Sequence, residues 1–316
     1  GGGGGSVSYG TSPKSQENIR QGHGEISIWL LDNPTDNYPQ GGTSWDMNVT
    51  HVAGDLLYLN SNGDLFGMFD NNSGRLGTGD TLYSRVGNLI SKNVKKIDST
   101  SHTTVFLKKD GTLWGVGKNS KNILGKDLLV DSDVSKPVEI ISGVKDFALG
   151  GDHLLLIKTD GSLWGIGDGY ELGLGDNIPV SVPTMIVSSG VVQVTTSGMH
   201  SLFVKSDGSL WGMGGSGYGK LGNGHTNSWN GQVFEKIPFQ IESSGVVQAS
   251  AGAWNSIYIK SDSSLWAMGA NFQGSLGDGT ETVRARPVQI LGSEGGVSFV
   301  DASWHSMFIK ENGSLW

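Results

Sequence analysis

The chain has 316 residues, of which 51 are glycine and none is cysteine, and it carries 22 basic against 30 acidic side chains for a formal net charge of -8. Without cysteine there is no disulfide, no thiolate catalysis and no cysteine-held metal. An acidic balance disfavours nucleic acid or an anionic membrane as the main partner, because phosphate binding needs a basic surface, and no apolar run approaches the roughly 18 residues of a membrane span.

At the amino end, Gly1 to Gly5 precede Ser6. Residues 1–24 are expected to be a glycine-rich linker or a ring-closing segment, and 25–316 a single domain. No stretch of the chain reads as a signal peptide. The chain begins without methionine and stops at Trp316 inside its own repeat phrase, so it is read as a mature domain or a fragment.

Taken in order, the elements repeat. Ile26-Ser27-Ile28-Trp29 looks like a degraded first copy of a phrase that returns as Asn62-Gly63-Asp64-Leu65-Phe66-Gly67 and as Asp110-Gly111-Thr112-Leu113-Trp114-Gly115. It recurs at Asp160 to Gly165, at Asp207 to Gly212, as Asp262-Ser263-Ser264-Leu265-Trp266-Ala267, and last as Asn312-Gly313-Ser314-Leu315-Trp316. From Phe66 onward the aromatic returns after 48, 50, 47, 55 and 50 residues. Such a period signals stacked copies of a unit that cannot bury its apolar faces alone.

Each unit holds four β-type runs. The first opens with Gly-Val, as at Gly143-Val144 and Gly190-Val191; the second precedes the Asp-Gly turn, as at Leu154 to Ile157; the third is Leu-Trp-Gly; the fourth starts at a proline, as at Pro137, Pro183, Pro238 and Pro287. Asp-Gly between two such runs is a strong hairpin signal. Between the third and fourth runs lies a glycine-rich loop with a Leu-Gly pair, read as Leu76-Gly77, Leu124-Gly125, Leu174-Gly175, Leu221-Gly222 and Leu276-Gly277. No amphipathic helix appears. Four antiparallel strands in about 50 residues make a β-propeller blade, and counting Trp29 the spacing predicts an all-β propeller of seven blades, with six the alternative. Strands from both termini would close the ring.

In an up-and-down blade the first-to-second and third-to-fourth connections share one face, and candidate site residues follow from that. The first set lies in the first-to-second turns: Asp55, Asp152 with His153, Met199 with His200, Trp254, and Trp304 with His305. Recurrent histidines suggest a metal or a general base. Equivalent residues on different blades surround a channel instead of converging, so each histidine is expected to bond backbone within its own blade. The second set is aromatic: Trp45, Trp229, Trp254 and Trp304 stand outside the repeat phrase, joined by Tyr170, Tyr218 and Phe272. Tryptophan and tyrosine dominate binding hot spots, so this face is expected to meet a partner protein. Lys108, Lys158, Lys205, Lys260 and Lys310 ring the opposite face and read as solvated turns. Gly165-Ile166-Gly167 lacks the helix of a dinucleotide loop, and Gly222-Asn223-Gly224 and Gly277-Asp278-Gly279 lack the carboxylates of a calcium site. No catalytic residue, metal or cofactor is expected.

These phrases resemble the repeat of the regulator of chromosome condensation family, whose members are seven-bladed propellers; the resemblance covers about residues 45–316. Leu276-Gly277-Asp278-Gly279-Thr280 is similar to phrases common in bacterial secreted or surface members. After Trp29 the pattern departs: Asp32 to Gly42 holds no Leu-Gly pair. The resemblance implies protein binding. Founding eukaryotic members are guanine-nucleotide exchange factors for a small GTPase that dock on chromatin through basic segments this chain lacks, and some bacterial members block β-lactamases. The expectation is therefore a non-enzymatic, protein-binding propeller, extracellular or on a bacterial cell surface. A glycan-binding propeller and an exchange factor for a small GTPase are the alternatives.

Overall fold

The computed structural model describes residues 49–53, 57–125, 132–226, 233–303 and 305–316. The first sheet contains β1 (Val49–Ala53), β2 (Leu57–Asn60), β3 (Leu65–Phe69) and β4 (Ser84–Ser91) in that order. The second contains β5 (Val94–Ser99), β6 (Thr103–Lys108), β7 (Leu113–Lys118) and β8 (Asp133–Ile141). The third has β9 (Val144–Leu149), β10 (His153–Lys158), β11 (Leu163–Gly167) and β12 (Val180–Val187). The fourth has β13 (Val191–Thr196), β14 (His200–Lys205), β15 (Leu210–Gly215) and β16 (Phe234–Glu242). The fifth has β17 (Val246–Ala251), β18 (Asn255–Lys260), β19 (Leu265–Gly269) and β20 (Arg284–Leu291). A sixth unit consists of β21 (Val297–Ala302) and β22 (Ser306–Lys310), with Leu315 bridged to Ile309.

The all-β propeller expectation holds, and the described residues form five complete blades and the start of a sixth. That count fits roughly six blades, the alternative to the expected seven. The copy at Trp29 on which seven rested lies outside the described residues, as does the whole of 1–24.

Every strand pairs antiparallel with its neighbours, and the core lies between blades. Leu154 and Leu156 pack with Leu107, Leu113 and Leu124 of the preceding blade, while Leu155 and Ile157 pack with Phe203 and Val194 of the following one. Alternation along one strand thus feeds two cores, which is why the second run of each repeat is apolar throughout. The repeat-phrase aromatics join these layers as expected, Trp164 against the blade before it and Trp211 likewise.

Two of the phrases form one lock. A Cβ on Gly165 would come within 2.6 Å of Leu172 Cδ2, and one on Gly212 within 2.7 Å of Leu221 Cδ2, so the glycine of Leu-Trp-Gly makes room for the leucine of the loop. This assigns the third loop's Leu-Gly pair to Leu172-Gly173, two residues before the expected Leu174-Gly175. Gly173 (φ 67°) rests on Pro238 of the next blade, as Gly222 (φ 67°) rests on Pro287. The prolines are tolerated because the fourth strand is an outer edge.

Backbone bonds then tie blade to blade. The Gly161 carbonyl of one hairpin turn accepts Val191 N–H of the next blade at 2.9 Å, and Gly111 with Val144 and Gly208 with Val246 do the same.

Candidate functional site

The end of each third strand is bonded to its own first-to-second turn: Asp168 N–H donates to Asp152 O at 2.8 Å, Gly215 N–H to Met199 O at 2.8 Å and Ala270 N–H to Trp254 O at 2.9 Å. Turns and loops of successive blades therefore share a face, as the strand order requires. The Asp-Gly turns lie on the other.

The histidines are not solitary backbone bonders. His153 Nε2 lies 2.5 Å from Thr196 Oγ1 and 3.0 Å from Ser201 Oγ, both in the next blade, and His200 Nε2 lies 2.8 Å from Ser256 Oγ of the blade after that. The hydroxyl hydrogens are directed elsewhere, Ser201 Oγ to Glu171 O and Ser256 Oγ to Lys220 O. Nε2 is therefore the donor in both rings, and His200 Nδ1 accepts from Ser197 Oγ at 2.9 Å. Both imidazoles are fully buried. Burial lowers the His153 pKa to about 4 and that of His200 well below its ordinary value. The expectation that each histidine serves its own blade is corrected: these two staple neighbouring blades. Being buried, they offer nothing to a partner. Nor is Ser201 with His153 a nucleophile and base, since a ring nitrogen that donates cannot take the serine proton.

The aromatic set is partly assembled. Tyr218, Trp254 and Phe272 come from a loop of the fourth blade and a turn and a loop of the fifth. Tyr218 meets Trp254 edge-on with centroids 5.6 Å apart and Phe272 edge-on at 5.4 Å, a favoured arrangement of ring quadrupoles. Phe272 is 54% exposed and Trp254 half-buried. Tyr170 stands apart, 4.8 Å from Phe234, a residue the sequence reading missed. Asp152 is exposed, Met199 half-buried, and His305 exposed on the sixth unit. Trp45, Trp229, Trp304 and Asp55 lie outside the described residues.

Two buried charged residues were also missed, Lys220 against Trp254 and Glu171 of the preceding blade. Glu171 is 9% exposed and Lys220 is 0% exposed. Burial, helped by Asp168 and Asp152, pushes the Glu171 carboxyl up to about 8, while burial pulls the Lys220 ammonium down to about 8 against the pull of Glu171. The signal was the repeat position just before the loop leucine, occupied by Arg75, Ile123, Glu171, Lys220 and Ser275. Reading the third pair as Leu174-Gly175 hid Glu171 from that column.

A cavity of about 400 Å³ opens between the first-to-second turns of three blades, lined by Ser99, Thr100, Ser101, Gly150, Gly151 and Ser197 among others. Its walls are small and uncharged. Among the described residues no group of three His, Asp or Glu could hold a metal ion, and no helix is long and apolar enough to cross a membrane.

On the opposite face the lysines are more than solvated turns. Lys158 Nζ lies 4.2 Å from the Trp164 ring centroid, and Lys108 and Lys260 sit 4.1 and 4.4 Å over Trp114 and Trp266. Trp164 Nε1 donates to Ser162 Oγ at 2.7 Å, which in turn donates to Asp160. Each blade thus spends these groups internally.

The described residues thus form a repeat propeller that gathers aromatic side chains on one loop face. Residues 160–204 and 207–259 match the regulator of chromosome condensation (RCC1) repeat. Human WBSCR16 is similar in structure, with a TM-score of 0.66 at 22% identity over 81% of this chain and 69% of that one. So is Prp20p of Saccharomyces cerevisiae, with a TM-score of 0.65 at 18% identity over 79% of this chain and 64% of that one; its binding properties to Gsp1p and histones have been described. The same yeast protein bound to Kap60 gives a TM-score of 0.67 at 18% identity, over 80% of this chain and 64% of that one. The chain thus spans about two thirds of the length of these structures. No curated protein sequence matches it.

Proposed function

We propose that this propeller is a non-catalytic scaffold that binds a partner protein through the face bearing Tyr218, Trp254 and Phe272. The observation that carries the reading is the clustering of these rings, from two blades, around Tyr218, with Phe272 exposed. Aromatic groups that are already packed lose little freedom on binding and supply much buried area. The cluster is also confined to one pair of blades. A lectin-like propeller would repeat its site from blade to blade, and the equivalent turn positions hold His102, Asp152, Met199 and Trp254. The Leu-Gly-Asp-Gly phrasing supports an extracellular or bacterial cell-surface setting as part of the same proposal.

The test is affinity capture from the native extracellular fraction with the wild-type chain, Trp254→Ala, and Lys158→Ala on the opposite face. Loss of about 2 kcal/mol or more, close to thirty-fold in affinity, is expected for Trp254→Ala alone. A partner held equally by all three proteins refutes this face. Hits confined to a glycan array, or accelerated nucleotide release from a small GTPase, would favour the alternatives.

A further inference from the structure

The repeat position before the loop leucine is buried in the first four blades, and the fold uses it in different ways. In the first blade it is Arg75, whose guanidinium is fully engaged: Nη2 bonds Asp70 Oδ2 at 3.1 Å, Nε bonds Asp70 O at 3.0 Å, and Nη1 reaches Ser101 O of the next blade at 2.8 Å. Asp70 lies five residues ahead of the arginine, in the residue that opens the loop. A buried cation therefore has its carboxylate supplied by its own loop.

The fourth blade keeps the cation and omits the carboxylate. Its residue at the position is Lys220, wholly buried, and five residues ahead stands Gly215, which has no side chain to offer. Among the described residues the Lys220 ammonium has no hydrogen-bond partner. Its Nζ lies 5.7 Å from the Trp254 ring centroid, and Glu171 of the preceding blade acts on it through space. His200, its other titratable neighbour, is neutral and bonded to Ser197 and Ser256. A buried ammonium without a hydrogen-bonded counter-ion is costly, and a buried polar group left unpaired in one copy of a repeat that pairs it in another calls for a ligand.

We propose that Lys220 is a receptor for a carboxylate carried by the partner protein, an Asp or Glu side chain or a chain terminus, which takes in the fourth blade the place that Asp70 fills in the first. The inference rests on the proposed binding face, because the Trp254 ring of that face lies 5.7 Å from Lys220 Nζ. The fit is to a partner that inserts one acidic group between aromatic side chains, where charge-assisted bonds are strongest.

The test follows the Lys220 side-chain resonances by NMR, assigned by their loss in Lys220→Met. Sodium acetate titrated against sodium chloride at constant ionic strength should shift the Lys220 Cε and Hε signals saturably, and chloride should not. Gly215→Asp, which restores the carboxylate of the first blade, should raise the Lys220 titration midpoint from about 8, with Gly215→Asn leaving it unchanged. Gly215→Asp and Lys220→Met should each weaken partner capture tenfold or more. Equal shifts in acetate and chloride, or an unchanged midpoint in a folded Gly215→Asp protein, overturn the inference. Should Trp254→Ala abolish capture while Lys220→Met leaves it intact, the binding face stands and the carboxylate receptor falls. An acetate response with capture insensitive to Trp254→Ala supports the receptor, for a small carboxylic acid, and refutes the face.

Discussion

Replacing His153 by Asn should flatten the acid limb of the stability profile. Asn is the residue that the fifth blade places at the same turn position, as Asn255, so the substitution is one the repeat already uses. In the folded chain the imidazole titrates at about 4, held down by burial, against about 6.5 in an unfolded chain. A folded pKa below the unfolded one means that the unfolded state takes up the proton first. The stabilisation is fully present above pH 6.5 and is lost as pH falls from there towards 4. Two and a half pKa units at 1.36 kcal/mol each give about 3 kcal/mol for the whole window, of which about 2 kcal/mol is spent between pH 7 and pH 5. His200, also buried and depressed, adds to the loss in the same direction. Urea unfolding at pH 7, 6 and 5, extrapolated to water, gives the profile. The wild-type chain should lose about 2 kcal/mol more than His153→Asn between the two ends. Parallel profiles, or an imidazole signal titrating near 6.5 in the folded protein, would refute the assignment of His153 as a buried neutral donor.

Other consequences follow from the links between blades. Gln193 exchanges two bonds with the backbone of Ala249, 2.9 Å each way, so Gln193→Ala should cost about 2 kcal/mol and speed amide exchange at Ala249, read by hydrogen-exchange mass spectrometry. Gly208 holds φ 79° and a Cβ there would come within 2.6 Å of Gly245 N, so Gly208→Ala should destabilise the chain by more than about 1 kcal/mol in urea unfolding. Ser162→Ala removes the hydroxyl that bonds both Asp160 and the Trp164 indole; the Asp160 carboxyl, held below the usual range by that hydroxyl, should then titrate closer to an ordinary aspartate in carbon-13 NMR.

How much of this was legible in the sequence differs from layer to layer. The hairpin at Asp160-Gly161 and the packing role of Trp164 could be read because they depend on residues a few positions apart: a turn that needs φ 79° at Gly161, an indole that reaches Ser162, and a strand that must be apolar on both sides. The Leu-Gly register in the third loop could not. Leu172 and Leu174 are equally apolar, and only the gap above Gly165 chooses Leu172. The partner of His153 was out of reach for a related reason. A blade's own turn offers backbone in every copy, whereas Thr196 and Ser201 lie more than forty residues on, brought beside the ring by the rotation from blade to blade.

By itself the sequence determined the four-stranded unit, its stacking and the face on which Tyr218, Trp254 and Phe272 lie, because period and turn chemistry are local and the strand order fixes the sides. The tertiary structure alone decided which of them meet. It joined Tyr218, Trp254 and Phe272, set Tyr170 against Phe234, and buried Glu171 and Lys220. Those outcomes depend on distances between blades, which no spacing along the chain encodes, and on the cost of burying a charge, which is set only when a neighbouring blade closes over it.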